Sequence, residues 1–209
     1  MSKRKRPTGQ GTRFASFYRR RLDGLPAVET AVAKTRRVQS SIDVLIPEVT
    51  GVVGERCGLT QAAADGMAPH ITLLWPWLEA PVPSSAIRRA GRAIAGSARF
   101  TLTFTRCDRF PGVVYLVPEA QGLIDGVIRS LVEAFPETPP FGGEFGSAPI
   151  PHLTAAKSDD EAHLDVVQST LNERLSRTPI TVVVFHVSVS EEGLGADGRW
   201  GVRAELPLA

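Results

Sequence analysis

Hydrophobic and polar residues alternate with a period of two over several short stretches of the chain, and this pattern predicts β-strands. It first appears in SIDVLIPE, where the folded body begins near Ser40. It returns in RFTLTFTRC and VVYLVP, which DRFPG separates as a hairpin turn. A last hairpin is predicted from PITVVVFHVSVS and RWGVRAELPL, joined around EEGLGADG. Strands predominate, and their hairpins indicate antiparallel pairing.

A second spacing, with apolar residues three, four or seven positions apart, predicts helices over 84–97, 122–135 and 159–177. The predicted apolar positions are Leu123, Val127, Ile128, Leu131 and Phe135 in the second helix, and Leu164, Val167, Leu171 and Leu175 in the third. The segment VTGVVGERCG predicts a further helix that ends near Gly58. Residues 136–150 hold too much Gly and Pro for regular structure, and long loops of this kind in compact domains are often functional. Strands and helices together predict an α+β fold with helices packed against sheet faces.

Two apolar runs begin with the same four-residue pattern. PHITLLWP and PHLTAAK both read Pro-His-apolar-Thr and lie 82 residues apart. Short apolar runs next to Pro are typical of strands. Because side chains on a strand alternate between its faces, His70 and Thr72 share one face of the first strand. The same holds for His152 and Thr154 on the second strand.

The elements around the two motifs follow the same order, which is a motif strand, a helix and then a hairpin. The predicted hairpins begin at Phe100 and Ile180, 30 and 28 residues after the motif histidines. A repeat in element order predicts a bilobal protein with two antiparallel sheets related by an approximate twofold. Helices would lie outside, and the two His-x-Thr strands would line a central cleft.

Two imidazoles and two hydroxyls that face one cleft suit displacement at phosphorus. With an ordinary pKa of about 6.5, one neutral ring can take a proton from the attacking oxygen while a protonated ring gives one to the leaving oxygen. The Thr hydroxyls can donate to the non-bridging oxygens. The alternatives are a pair of core histidines and a two-His metal site. Both are less favoured, since His and Thr recur together and no Asp, Glu or Cys recurs beside both motifs.

The two motifs, the lead-in FGGEFGSAPIPHLT and the strand GVVYLVP resemble the 2H phosphoesterases over about residues 40–209. The most similar branch is the bacterial 2′-5′ RNA ligase or RNA 2′,3′-cyclic phosphodiesterase group. The resemblance implies hydrolysis of a 2′,3′-cyclic phosphodiester at an RNA or nucleotide end to a 2′-phosphate, with no metal or cofactor. It also implies that His70 is the proton donor and His152 the proton acceptor, and that reversible 2′-5′ RNA ligation accompanies hydrolysis.

The chain departs from the family pattern at two places. Many relatives carry Arg five residues after the second motif His, where this chain has Lys157. Strict alternation would turn Lys157 away from His152. The first motif continues with Trp75 and Trp77, where smaller aromatic residues are expected.

Three aromatic residues are further candidates for substrate binding. Trp77 and Phe145 are predicted to stack on a base at the cleft mouth, and Tyr115 to offer its hydroxyl to the cleft. Core packing is the alternative for each of them. Other interpretations of the cleft also stay open: it could bind a nucleotide or RNA end without turnover, or open the cyclic phosphate of a small molecule such as ADP-ribose.

Charge and composition predict which residues form the folded domain and in which compartment the protein resides. The chain has a net charge of +2, but residues 1–37 hold 11 Lys and Arg against two acidic residues. This basic extension is predicted to be disordered, with contact to RNA as its functional alternative, and 38–209 to form the catalytic domain. Two cysteines without C-x-x-C spacing, no signal peptide and no long apolar run predict a cytoplasmic protein away from membranes. A monomer is the default.

Overall fold

A computed structural model of the chain describes residues 39–53, 65–119, 121–144 and 149–209. Three predictions lie outside these ranges: the basic extension over 1–37, the helix end near Gly58, and the placement of Phe145. Within the described ranges, no helix combines the length and the apolarity that crossing a membrane requires.

In the described part of the chain, eight strands form one sheet, and every pair of neighbours is antiparallel. The strands are β1 (Ser40–Leu45), β2 (His70–Leu74), β3 (Phe100–Phe110), β4 (Val113–Pro118), β5 (Leu153–Lys157), β6 (Ile180–Val184), β7 (His186–Glu191) and β8 (Gly201–Pro207). Their order across the sheet is β6-β3-β4-β5-β2-β1-β7-β8.

The sheet has two four-stranded halves that meet at β2 and β5. β2 and β5 pair at Ile71 and Leu153, whereas β1 and β2 pair at four positions. The two antiparallel sheets predicted from the sequence are thus the two halves of a single sheet. Each half ends at the centre with one motif strand, so the two motifs lie side by side.

The chain from 180 to 191 differs from the prediction of one long strand in a terminal hairpin. It forms two strands on either side of Phe185: β6 pairs with β3 in one half, and β7 lies between β1 and β8 in the other. The predicted hairpin start at Ile180 was therefore wrong, because the hairpin is β7–β8 and begins at His186. Alternation continues across a change of partner strand, so the pattern does not reveal it.

The same described ranges contain four helices: α1 (Thr50–Val53), α2 (Ser84–Ile94), α3 (Gln121–Ala134) and α4 (Glu161–Arg177). Single 3₁₀ turns occur at Pro47–Val49, Pro140–Gly143 and Ala196–Gly198. Helix α4 packs on β3, β4 and β5, while α2 contacts β8 and α3 contacts β2. The Asp160 side chain caps α4 by accepting the His163 backbone N–H at 3.0 Å.

The helices cover one face of the motif strands and leave the other face for the site. Ile71 and Leu153 are fully buried in the main core, together with the apolar stripes of the helices. The alternate positions of both strands therefore point to the opposite face. This is the face that carries the motif histidines and threonines.

Candidate active site

The four motif side chains converge where the two halves of the sheet meet. Ile71 pairs with Leu153 in antiparallel register, so His70 lies on the side of Thr154, and Thr72 on the side of His152. All four motif residues are half-buried, while the apolar residues between them are buried. One surface therefore presents two imidazoles, each next to the hydroxyl of the other motif.

Both rings are oriented by the same backbone contact. The His70 Nδ1 lies 2.8 Å from the Ala68 carbonyl oxygen, and the His152 Nδ1 lies 2.8 Å from the Ile150 carbonyl oxygen. A carbonyl oxygen can only accept, so Nδ1 carries the hydrogen in each ring. In the neutral rings Nε2 is the basic nitrogen, and each ring gains or loses its exchangeable proton there.

His152 lies against an aromatic cluster. The Phe110 and Tyr115 rings stack on each other at 4.3 Å between centroids, and each meets the His152 ring edge-on at 5.3 Å. Burial lowers the pKa of His152, the hydrogen bond to the Ile150 carbonyl opposes this, and positive charge on His70 lowers the pKa further. These surroundings favour a neutral His152.

Tyr115 lies on the motif face, opposite Thr154 in the β4–β5 pairing. It is 6% exposed. Burial raises the pKa of Tyr115 to about 12, and the charge of Asp108 raises it too, while Arg106 lowers it. The phenol therefore keeps its proton at neutral pH and can donate a hydrogen bond.

Asp43 lies beside the first motif, and the sequence analysis missed it. Its strand position is opposite Thr72, and its side chain is fully buried. Burial raises the pKa of Asp43, whereas positive charge on His70 and the hydroxyls of Ser41, Ser190 and Thr72 oppose the rise. The available signal was the alternation of polar and apolar residues in SIDV and in HVSVS.

A β-bulge follows each motif and changes which later residue faces the site. In β5 the register shifts after Thr154, so Ala155 and Ala156 both pack in the core, and Lys157 pairs with Val113. Val113 belongs to the same cluster as Tyr115, on the motif face. Lys157 therefore lies on the side of His152, and the expectation from strict alternation was wrong.

The same shift occurs after Thr72. Leu73 and Leu74 are both buried in the core, so continued alternation returns Trp75 to the motif face. The Trp75 ring lies 6.1 Å from the Phe141 ring, and the Phe141 N–H donates to the Trp75 carbonyl at 2.6 Å. The residues HITLLW and HLTAAK are thus equivalent, and their sixth positions are Trp75 and Lys157.

The predicted binding role of Trp77 does not fit its position. Trp77 is 3% exposed, and its ring meets the Phe135 ring edge-on at 5.2 Å within the core. A ring enclosed in this way has no open face for a base. Trp75, two residues earlier, is the aromatic residue that the fold brings to the motif face.

Among the residues that the structure describes, no three His, Cys, Asp or Glu side chains come together as a metal-binding group. The motif face offers two imidazoles, two threonine hydroxyls and the Tyr115 phenol as hydrogen-bonding and proton-exchanging groups.

The family model described as "2'-5' RNA ligase superfamily" matches residues 38–194, which include both motifs and all of β1 to β7. The chain belongs to the 2′-5′ RNA ligase superfamily. Membership confirms the resemblance to the 2H phosphoesterases that the doubled motif indicated. No curated protein matches the chain.

Solved structures share the fold of this superfamily member. E. coli LigT, complexed with NADP+, has a TM-score of 0.53 and 18% identity, over 84% of this chain and 99% of LigT. TT0787 of Thermus thermophilus has a TM-score of 0.53 and 16% identity, over 81% of this chain and 97% of its own. A structure named only as a phosphoesterase has a TM-score of 0.52 and 19% identity, over 82% of this chain and 99% of its own. At such identities the likeness shows the fold.

Proposed function

We propose that this protein hydrolyses 2′,3′-cyclic phosphodiesters at RNA or nucleotide ends to a 2′-phosphate, with His70 and His152 as acid and base and without a metal ion. The observation that carries the proposal is the meeting of the two His-x-Thr strands at Ile71 and Leu153. It gives one surface two imidazoles with Nδ1 fixed and Nε2 available for proton exchange.

In the proposed reaction a water oxygen attacks phosphorus and forms the new P–O bond. The His152 Nε2 takes a proton from this water, and the bond from phosphorus to the 3′-oxygen breaks. The His70 Nε2 gives its proton to the departing 3′-oxygen, which leaves a 3′-hydroxyl and a 2′-phosphate. The hydroxyls of Thr72 and Thr154 donate to the non-bridging oxygens, where negative charge grows.

The surroundings of His152 support this division of roles. Burial and the aromatic cluster favour a neutral His152, which is the form that accepts a proton. Each proton transfer contributes about 10²–10⁴-fold to the rate.

With the 5′-hydroxyl of a second RNA end in the place of water, the same two roles produce a 2′-5′ linkage. Crystal structures of LigT contain NADP+ and 3′-AMP, and we extend nucleotide binding to this chain on that basis. On the motif face, Lys157 would contact phosphate oxygens, Trp75 would stack on a base, and Tyr115 would donate through its hydroxyl.

The test is hydrolysis of a 2′,3′-cyclic nucleotide and of a short RNA with a 2′,3′-cyclic end, with EDTA present. We expect turnover to persist with EDTA, and His70→Ala and His152→Ala each to lose at least about 100-fold in kcat. The exposed helix residue His163 provides the matched control, His163→Ala, which should keep full activity. Complete inhibition by the chelator would count against the metal-free scheme.

The same panel separates the two alternatives. Calorimetric binding of AMP-like ligands without any turnover would make the cleft a binding module. Turnover of a cyclic phosphate of ADP-ribose with none of RNA or mononucleotides would change the substrate class and keep the acid/base pair.

A further inference from the structure

Asp43 is a buried carboxyl beside the first motif that has no part in the acid/base scheme. It lies on the middle strand of three: Thr72 is its partner on β2, and Ser188 is its partner on β7. Its side chain is 0% exposed. Residues directly opposite in antiparallel strands have Cβ atoms about 4.5–5.5 Å apart, so the carboxyl lies next to the Thr72 side chain.

The carboxyl is only partly satisfied by its neighbours. The Ser41 hydroxyl donates to Oδ2 at 2.5 Å. The Oδ1 atom and the hydroxyls of Ser188 and Ser190 are buried without a hydrogen bond of ordinary geometry. Even so, Ser190, Thr72 and the positive charge of His70 all favour the ionised form of the carboxyl. A buried carboxyl with so few donors costs free energy, and apolar residues would serve the core better.

At the second motif, an aromatic residue holds the position that matches Asp43. The residue opposite Thr154 is Tyr115, and the ring next to His152 is that of Phe110. The two motifs thus share backbone and sequence but differ in the group behind the threonine, which is acidic in one half and aromatic in the other.

Resting on the proposed hydrolysis, we infer that Asp43 is a positioning residue whose carboxyl orients the Thr72 hydroxyl toward a non-bridging oxygen of the bound phosphate. The substitution that tests this is Asp43→Asn, which keeps the shape of the side chain and removes its charge.

We expect Asp43→Asn to lower kcat about 10- to 100-fold with KM changed by less than about threefold, because the interaction acts on the transition state. The melting temperature should be unchanged or higher, because a raised pKa of Asp43 means that ionisation of the carboxyl at neutral pH opposes folding.

Glu191→Gln is the matched control. Glu191 is a carboxyl on β7, 3% exposed, that accepts the Val82 N–H at 2.8 Å and faces away from the site. Its substitution should lower the melting temperature and leave kcat unchanged. Asp43→Asn with the kcat of the original protein, or with loss of activity only through loss of the fold, would overturn the positioning role.

A readout apart from activity separates this inference from the proposed hydrolysis. The χ1 rotamer of Thr72 can be measured from three-bond scalar couplings by NMR in the full chain and in Asp43→Asn. A changed or averaged rotamer in the variant supports the positioning role even if no cyclic phosphate is turned over. An unchanged rotamer overturns it, whatever the enzyme activity proves to be.

Discussion

His70 and His152 share a motif and a backbone contact, yet their surroundings differ. The first lies near a carboxyl, and the second against two aromatic rings. Because burial lowers the pKa of His152, this ring stays neutral below the usual range of histidine. A proton acceptor must be neutral to act, so its surroundings extend the pH range of the proposed base.

This difference predicts the acidic limb of the pH profile. We expect kcat/KM for a 2′,3′-cyclic nucleotide to fall only below about pH 6.5, the ordinary histidine value. Phe110→Leu, which opens the surroundings of His152, should move this limb to higher pH. Phe185→Leu, a change at an exposed ring between β6 and β7, should leave it in place. A Phe110→Leu profile that matches the original would show that burial does not tune the base.

The same shift affects stability. The unfolded chain binds a proton on this histidine near pH 6.5, whereas the folded chain resists it. The free energy of unfolding therefore decreases as the pH falls from about 6.5 toward the lower pKa that His152 has in the folded protein.

Lys157 provides a second prediction at this scale, because the bulge after Thr154 brings it to the motif face. Lys157→Met should lower kcat/KM about 10- to 100-fold, the cost of one charge-assisted hydrogen bond to phosphate. Lys157→Arg should keep most of the activity. Arg174→Met removes an exposed charge from α4 and serves as the control. If Lys157→Met behaved like Arg174→Met, Lys157 would not contact the substrate.

The helix behind the site depends on a local capping interaction that can be tested by a single substitution. Helix α4 supports β3, β4 and β5 from the core side, and its first turn is capped by Asp160. Asp160→Ala should lower the free energy of unfolding by about 1 kcal/mol. The neighbouring Asp159→Ala changes the same charge without the cap and should cost less. Urea denaturation of the three proteins measures the difference, and equal losses would contradict the capping role.

Helices were the elements best predicted from the sequence, because their signal is local. All four predicted apolar positions of α4 are buried, namely Leu164, Val167, Leu171 and Leu175. In α3, Val127, Ile128 and Leu131 are buried as predicted, but Leu123 is 51% exposed and its neighbour Ile124 is buried instead. Two adjacent apolar residues leave a helical stripe ambiguous by one position.

Bulges explain most of what the sequence could not show about the site. Each motif is followed by two like residues, Leu-Leu or Ala-Ala, which suit regular alternation and a bulge equally well. The choice depends on the partner strand, and it decides that Trp75 and Lys157 face the motif side. The four motif residues were predictable because His and Thr recur at the same spacing. Asp43 was not predictable, because a single polar residue in a strand is compatible with many different roles.

At the scale of the whole molecule, the two halves exchange elements. The hairpin β3–β4 follows the first motif in the chain but pairs with β5, the strand of the second motif. The strand β7 follows the second motif but lies beside β1, next to the first. Each half of the sheet therefore takes two strands, β3 and β4 or β7 and β8, from the chain that follows the other half's motif. Alternation of apolar and polar residues identifies strands but does not indicate which distant strands pair. This exchange could therefore not be predicted from the sequence.

Charge is also divided unevenly over the whole molecule. The 11 Lys and Arg and two acidic residues of 1–37 leave 13 basic and 20 acidic residues for 38–209. Acidic residues in excess over 38–209 repel the phosphates of an RNA chain, while the basic residues of 1–37 attract them. We propose that the extension contributes affinity for RNA and none for a mononucleotide.

Removal of residues 1–37 tests this division. We expect affinity for a short RNA with a 2′,3′-cyclic end to fall about tenfold at low salt, with a shallower dependence on salt concentration, because fewer counterions are released on binding. The kcat for a 2′,3′-cyclic mononucleotide should not change, since both histidines lie outside the extension. A full-length variant with the eight Lys and Arg of residues 1–21 changed to Gln separates charge from length. Unchanged RNA affinity and salt slope in both proteins would show that the extension does not bind RNA.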